Sequence, residues 1–174
     1  LLAQTSGKIF YCADDTHAAR LCGTRPGSIS YGFTDAARYR ASGIELHDFA
    51  ATFCVQRGAE KLGDATLSVP GKHNVSNALG VISLATELGV PFEKIAKSLG
   101  TFRHARRRFE IKYQSERFLL VDDYAHHPTE IRSTLATASS AGRKRVLPSV
   151  QPHRPPPPGP RNPELGAPSH DPRP

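Results

Sequence analysis

The chain has 174 residues, of which 38% are hydrophobic, enough for one substantial core or for parts of two smaller ones. No apolar run approaches the roughly 20 residues of a membrane span, and the N-terminus lacks the features of a signal peptide, so we expect a cytoplasmic protein without membrane association. The net charge of +7 is compatible with nucleic-acid binding, but aromatic residues make up only 7% and no nucleic-acid-binding motif occurs, so we expect no nucleic-acid partner.

The three cysteines are Cys12, Cys22 and Cys54, an odd number without metal-ligand spacing. They predict free thiols and no metal site. The chain contains no methionine, even at its first position, which indicates a piece of a longer protein.

The first part of the chain is rich in strand signals. Residues 8–12 predict a short strand, and the polar segment 13–22 predicts a helix that begins near Asp15. Further strands are predicted at 28–33, 39–47, 50–57 and 65–69, with a turn at 57–60.

From Asn74 the apolar spacing becomes helical. The residues that share one face are Val75, Leu79, Ile82 and either Leu84 or Ala85. Gly89 lies just beyond the end of this helix, and Pro91 opens a second one. The apolar positions of the second helix are Phe92, Ile95 and Leu99, and the basic segment 103–108 predicts a linker.

Strand signals return after the linker. Residues 109–113 and 118–121 predict a hairpin. The second of these strands is predicted to be buried because it is almost wholly apolar. Residues 128–140 predict a helix that is ended by Gly142, and residues 145–150 predict one more strand.

The segment 122–130 carries acidic and histidine side chains between an apolar strand and a helix start. Pro128 suits the first helical position, and Glu130 lies in the first turn, where the helix dipole favours a negative charge. Ligands of open α/β sheets bind at the carboxyl ends of strands, so this elbow predicts a ligand site. The side chains expected to face the ligand are Asp122, Asp123, Tyr124 and His126. The alternative is that the elbow only caps the helix.

Four motifs follow one another along the chain: PGKHNVSNAL at 70–79, RRFE at 107–110, DDYAHHPTE at 122–130 and QPHR at 151–154. In this order, over residues 3–154, they resemble the Mur ligases of peptidoglycan synthesis. The resemblance is closest to members that join L-alanine to UDP-N-acetylmuramate. It implies an ATP- and magnesium-dependent reaction in which an acyl phosphate on the substrate carboxylate is attacked by the amine of L-alanine.

The resemblance also implies an α/β fold in two partial domains. Residues 1–104 would be part of a central ATP-binding domain, a mixed sheet with helices, and residues 105–154 part of a Rossmann-like domain that binds the amino acid. Ten of the fifteen prolines lie in 152–174. Residues 155–174 are therefore predicted to be a disordered tail, with the composition of a frameshifted sequence.

By the same resemblance, Asn74 and Asn77 would contact adenine, Arg107 and Arg108 the phosphates, and Asp123 the ribose hydroxyls. For two of these positions other interpretations stay open, because Asn74 could be a helix N-cap and Arg108 part of a solvated hinge. Asp122 is expected to be structural.

The resemblance places the amino-acid pocket at Tyr124 and His126, with His153 and Arg154 binding the L-alanine carboxylate. Arg108 and His126 are the candidate catalytic residues. His127 is interpreted either as a pocket residue or as a helix cap.

The chain departs from the family pattern in several places. A second arginine after His153-Arg154 is replaced by Pro155-Pro156-Pro157, and Pro148 interrupts the preceding strand. No GxxGTxGKT phosphate loop occurs, nor do the family's upstream magnesium-binding His and Glu, so we expect the isolated chain to lack ligase activity. Tyr124 and Glu130 favour the L-alanine-adding ligase over a related ligase that recycles a preformed tripeptide. A non-catalytic nucleotide-binding remnant or a polyproline-bearing adaptor stays open as a third hypothesis.

Overall fold

The computed structural model describes residues 2–47, 49–103, 107–140 and 145–150. A single 3-10 turn at Leu2–Gln4 precedes the first strand. The strands are β1 Ile9–Cys12, β2 Ser28–Gly32, β3 Tyr39–His47, β4 Ala50–Arg57, β5 Glu60–Leu67, β6 Glu110–Gln114 and β7 Leu119–Asp122. The helices are α1 Thr16–Cys22, α2 Lys72–Glu87, α3 Phe92–Thr101 and α4 Pro128–Ser140. No helix in these described ranges is long and apolar enough to cross a bilayer.

The larger sheet is mixed and has the strand order β1-β2-β3-β4-β5. The first three strands are parallel, with α1 connecting β1 to β2, and the last three form an antiparallel meander. In β4 every second residue is buried, which is the period of a strand with one face on the core. The α/β architecture with a mixed sheet is as expected from the sequence.

The core lies where α2 covers the larger sheet. The side chains of Val75, Leu79 and Ile82 are fully buried, and each contributes roughly 1.5–3 kcal/mol by leaving water. The predicted helix face is confirmed, and its fourth member is Ala85, since Leu84 is 46% exposed.

The strand β5 is longer than predicted, because it begins at Glu60 and not at residue 65. Pairing with β4 extends it through a polar stretch that has weak strand propensity of its own. Gly63 has a φ of 147°, and a Cβ there would lie 2.8 Å from the Phe92 ring. The glycine therefore allows α3 to pack closely on this strand.

The smaller sheet is the antiparallel hairpin of β6 and β7, as predicted. The prediction that its second strand is buried was wrong, since Phe118 is 62% and Leu120 59% exposed. In the described part of the chain this sheet has only two strands, and the face that carries these residues is left open to solvent.

The ends of helices agree well with the sequence signals. Asp15 is the N-cap of α1, and its side chain accepts hydrogen bonds from the backbone N–H groups of His17 and Ala18, both at 2.9 Å. The bounds of α4 are those predicted, although Gly142, its expected end, lies outside the described residues.

The predicted strand at 145–150 was wrong. These residues have no regular secondary structure, and Leu147 is 79% and Val150 56% exposed. Pro148 has no N–H to donate to a sheet, and the described part of the chain offers these residues no partner strand.

A cluster of charges ties the end of α2 to the edge of the sheet. The Glu87 carboxylate, whose side chain is only 10% exposed, lies 2.5 Å from Lys8 Nζ and 3.2 Å from Arg38 Nη2. The buried Tyr39 hydroxyl donates to the same carboxylate at 3.0 Å. The Lys8 hydrogen bond is the largest of the effects that lower the pKa of Glu87 below its usual value of 4.5, and it outweighs the opposing effect of burial.

We predict that Glu87→Gln lowers the free energy of unfolding at pH 7 by about 1.5–3 kcal/mol, the range for hydrogen bonds to a charged group. Because the folded-state pKa is depressed, the stabilisation is present above the unfolded value and is lost as pH falls through the lower folded one. The difference between wild type and variant should therefore shrink below about pH 4.5 in urea titrations.

Glu93→Gln is the matched control, because Glu93 is an exposed glutamate in the first turn of α3. It should change the stability at pH 7 by no more than about 0.5 kcal/mol. Equal losses in the two variants would contradict a specific role for the Glu87 cluster.

Candidate functional site

The candidate site is the elbow between β7 and α4, together with the turn 107–109 that lies against it. The backbone N–H of Tyr124 donates to the Arg107 carbonyl at 2.7 Å, so the turn and the elbow are joined directly. The sequence predicted the elbow, but its contact with a turn some fifteen residues earlier arises only when β6 and β7 pair.

The Asp123 carboxylate holds this junction from both sides. Its Oδ2 accepts a hydrogen bond from the Phe109 N–H at 2.8 Å, and its Oδ1 accepts one from the Ala125 N–H at 2.8 Å. A carboxylate has about four acceptor positions, so a ligand hydroxyl can still bind to either oxygen. Asp123 is therefore both a structural group and a candidate ligand acceptor.

The turn that carries Arg108 has an unusual backbone. Arg107 and Phe109 have φ values of 58° and 47°, in the left-handed region that large side chains rarely occupy. Each such residue costs on the order of 1 kcal/mol, and surrounding contacts must compensate. Phe109 is buried and the Arg107 N–H donates to Glu110 Oε2 at 2.9 Å, so Arg108 is presented from a turn that is held at both sides.

Glu130 connects the helix start to Arg108. Its Oε2 accepts hydrogen bonds from the N–H groups of His126 at 3.2 Å and His127 at 3.3 Å, while its Oε1 lies 3.3 Å from Arg108 Nη1. The pKa of Glu130 is lowered, first by the His126 N–H, then by the His127 N–H and also by Arg108. His127 Nδ1 accepts from the Thr129 N–H at 3.3 Å, which confirms its interpretation as a cap.

Aromatic and charged groups stack on the outer side of the elbow. The Arg107 guanidinium lies 4.8 Å from the centre of the Tyr124 ring, and its Nε is 3.6 Å from Asp122 Oδ2. The Tyr124 ring in turn contacts the His126 ring, with 5.2 Å between centroids and a tilt of 56°. Asp122 thus pairs with a neighbouring cation, in line with its expected structural role.

The two asparagines lie together at the start of α2. Asn77 Nδ2 donates to Asn74 Oδ1 at 3.5 Å, as their spacing on one helix face predicts. The alternative that Asn74 is the N-cap was wrong, because the helix begins at Lys72 and Gly71 is its cap. Asn74 Nδ2 instead donates to the Pro70 carbonyl at 2.7 Å, which fixes the side chain across the first turn.

Helix α4 approaches the start of α2 closely. Gly71 has a φ of 95°, and a Cβ there would lie 2.6 Å from Thr137 Oγ1, so only glycine fits. Between the two helices lies a shallow cleft of about 180 Å³. Its walls are formed by Leu46, Gly71, Lys72, His73, Ser133, Ala136, Thr137 and Ser140.

His73 links the start of α2 electrostatically to the elbow. Burial lowers the pKa of its imidazole, the Asp123 charge acts to raise it, and the Arg108 charge lowers it further. Both charged groups are therefore within electrostatic range of the residue next to Asn74. His73 carries no local signal in the sequence, because its burial depends on the packing of distant segments.

The structure brings most of the predicted site residues together. Arg107, Arg108, Asp123, Tyr124 and His126 belong to one network of contacts at the elbow, and Asn74 and Asn77 pair at the nearby start of α2. His153 and Arg154 lie outside the described residues.

The arrangement offers carboxylate acceptors for hydroxyl groups, guanidinium groups for phosphates and side-chain amides for a base. These are the chemical requirements of a nucleotide. Within residues 2–47, 49–103, 107–140 and 145–150, no three His, Cys, Asp or Glu side chains are placed to hold a metal ion.

Comparison with known proteins gives two family matches in chain order. Residues 2–85 match the Mur ligase middle domain, and residues 107–150 match the Mur ligase, glutamate ligase domain. The described elbow and turn fall within the second match, and the start of α2 falls within the first. The order of the matches is that of the motifs.

Relatives and solved structures agree with these matches. The UDP-N-acetylmuramate–L-alanine ligase of Syntrophotalea carbinolica is 41% identical over 151 residues, which cover 85% of this chain and 32% of that protein. The ligase of the same name from Solidesulfovibrio magneticus is 43% identical over 148 residues, which cover 82% of this chain and 32% of that protein. The crystal structure of UDP-N-acetylmuramate-alanine ligase from Thermotoga maritima superposes with a TM-score of 0.65 at 30% identity. The superposition covers 77% of this chain and 30% of that chain.

The chain thus spans about a third of the length of the curated relatives that it matches. Within that span, the two family matches, the identity to these relatives and the shared fold all point the same way. From this agreement we conclude that the chain belongs to the Mur ligase family.

Proposed function

We propose that this chain is part of an ATP-dependent ligase that joins L-alanine to UDP-N-acetylmuramate in peptidoglycan synthesis. The identity of more than 40% to ligases of that name supports the choice of substrates. The observation that carries the chemical part of the proposal is the contact network in which Asp123 and Glu130 hold Arg108 at the end of β7.

The proposed reaction has two steps. The terminal phosphoryl group of ATP passes to the carboxylate of UDP-N-acetylmuramate, giving an acyl phosphate and ADP. The amine of L-alanine then attacks the acyl carbon, the amide bond forms, the bond to the phosphate oxygen breaks, and inorganic phosphate leaves. Negative charge gathers on the phosphoryl oxygens throughout, so a catalyst must supply cationic groups.

Arg108 is the residue proposed to meet this charge. Its guanidinium is half exposed and projects from a turn that Asp123 and Glu110 hold in place. A planar guanidinium can bind two phosphate oxygens at once, which suits a transferring phosphoryl group. Arg107 is a second candidate, although its stacking on Tyr124 restrains its guanidinium.

The nucleoside is proposed to lie between the elbow and the start of α2. Asp123 would accept hydrogen bonds from the ribose hydroxyls through its remaining acceptor positions. Asn74 and Asn77 would offer amide groups to the edge of adenine. The close approach of α4 to the start of α2 supports this placement, because Thr137 lies directly against Gly71.

The amino acid is proposed to bind on the outer side of the elbow, beside Tyr124 and His126. His126 is a candidate catalytic residue, since its imidazole can hold or transfer a proton near the attacking amine. His153 and Arg154 are proposed to bind the L-alanine carboxylate. Magnesium would assist phosphoryl transfer, and its ligands are proposed to lie on other parts of the ligase. We assign the reaction to the cytoplasm, where ATP is available.

The isolated chain is predicted to have no ligase activity. The 174 residues contain no GxxGTxGKT phosphate loop, whose backbone amides and lysine would hold the phosphates of ATP. We expect no phosphate release when the chain is mixed with ATP, magnesium, UDP-N-acetylmuramate and L-alanine. Turnover by the isolated chain would contradict this expectation, whether the amine substrate is L-alanine or a preformed tripeptide.

Arg108 is predicted to be needed for turnover in a complete ligase that contains this segment. Arg108→Ala should lower kcat by about 10²–10³, the usual effect of removing one group that stabilises transition-state charge. The KM for L-alanine should change much less. Steady-state kinetics by phosphate release measure both quantities.

Arg103→Ala is the matched control, because Arg103 belongs to the same basic segment but donates to the carbonyls of Thr101 and Phe102 at the end of α3. It should leave kcat within about twofold of wild type. If both variants lost activity equally, the effect would reflect general positive charge and not the position of Arg108.

A further inference from the structure

We propose that Glu130 is a positioning residue: it is the resident counter-ion of Arg108, and a phosphate group must displace it before Arg108 can bind that phosphate. This inference rests on the proposed phosphate-binding role of Arg108. It adds a residue to the site and predicts that a negative charge inside the site weakens the binding of anions.

The two oxygens of the Glu130 carboxylate have different partners. Oε2 accepts from the backbone N–H groups of His126 and His127, which belong to the helix start and cannot turn away. Oε1 is directed to Arg108 Nη1 at 3.3 Å. The backbone therefore sets the position of Oε1, and Oε1 in turn sets the resting position of the Arg108 guanidinium.

The pair is suited to exchange. The Arg108 side chain is 51% and the Glu130 side chain 35% exposed, and ion pairs with this exposure contribute little to stability. A phosphate carries more charge than a carboxylate and can bind a guanidinium through two oxygens. Once displaced, Glu130 keeps its two backbone hydrogen bonds, so the elbow retains its shape while only the arginine side chain moves.

The charged groups around the turn also support the role of Glu130 as a counter-ion. Arg107 pairs with the Asp122 carboxylate and Arg108 with that of Glu130, while the Asp123 carboxylate accepts backbone N–H groups. These five side chains carry three negative charges against two positive ones, and the His126 imidazole lies 3.5 Å from Glu130 Oε2. An anion that approaches Arg108 meets the Glu130 charge within a few ångströms. Removing that charge should strengthen anion binding, whereas a merely supporting residue would weaken binding when changed.

The test uses Glu130→Gln in the full 174-residue chain with inorganic triphosphate as the probe. Glutamine can still accept the backbone hydrogen bonds of a capping box, so the substitution removes the charge and leaves the cap. We expect the dissociation constant, followed through the amide signal of Arg108 by NMR, to fall about two- to fivefold, the size of one exposed charge interaction. This gain should be absent when Arg108→Gln is also present.

Glu93→Gln is the control for net charge, because Glu93 occupies the first turn of α3 as Glu130 occupies that of α4. It should leave triphosphate binding unchanged. Equal tightening by the two variants would overturn the proposal, since it would reflect net charge alone.

A second measurement needs no substitution. If triphosphate displaces Glu130 from Arg108, the Glu130 pKa, measured from its carboxyl carbon signal, should rise in the presence of the probe. An unchanged pKa at saturation would overturn the proposal even if the Gln variant proved unstable.

The outcomes distinguish the counter-ion role of Glu130 from the phosphate-binding role of Arg108. If Arg108→Gln weakens triphosphate binding but Glu130→Gln does not tighten it, Glu130 is not the counter-ion and Arg108 keeps its proposed role. If Arg108→Gln has no effect, or if no variant binds the probe, both the counter-ion and the phosphate role of Arg108 are overturned.

Discussion

The packing of α2 on the larger sheet is the constraint on which the rest of the structure depends. Val75, Leu79 and Ile82 are fully buried between the helix and the strands, so the helix can neither rotate nor slide. One end of the helix then presents the asparagine pair, and the other end places Glu87 among Lys8, Arg38 and Tyr39. A single apolar face thus orients both a candidate ligand surface and the charge cluster that closes the opposite end.

Carboxylates with two partners organise the candidate site. Asp123 joins the turn to the elbow by accepting one backbone hydrogen bond on each oxygen, and Glu130 joins the helix start to a guanidinium. Backbone N–H groups cannot change position without refolding, so these carboxylates are held in place before any ligand arrives. The site is therefore preorganised on its acidic side, while the half-exposed Arg108 side chain is the group that can move.

Much of the local structure could be predicted from the sequence, because its signals are short-range. The Asp15 cap, the apolar spacing of α2 and the proline start of α4 each act within a few residues, and the helices follow them. The predictions that were wrong depended on partners. The strand Leu119–Asp122 has an exposed residue at Leu120 because its sheet has only two described strands, and residues 145–150 have no strand to pair with in the described structure.

The order of the motifs and the types of residue at the elbow were determined by the sequence alone, and they were sufficient to indicate the family. Only the tertiary structure decided which of those residues touch. The link from Glu130 to Arg108 joins positions 22 apart, and Gly71 lies against Thr137, which is 66 positions farther along the chain. Such contacts depend on the pairing of β6 with β7 and on the close approach of α4 to Gly71, and neither leaves a local pattern in the chain.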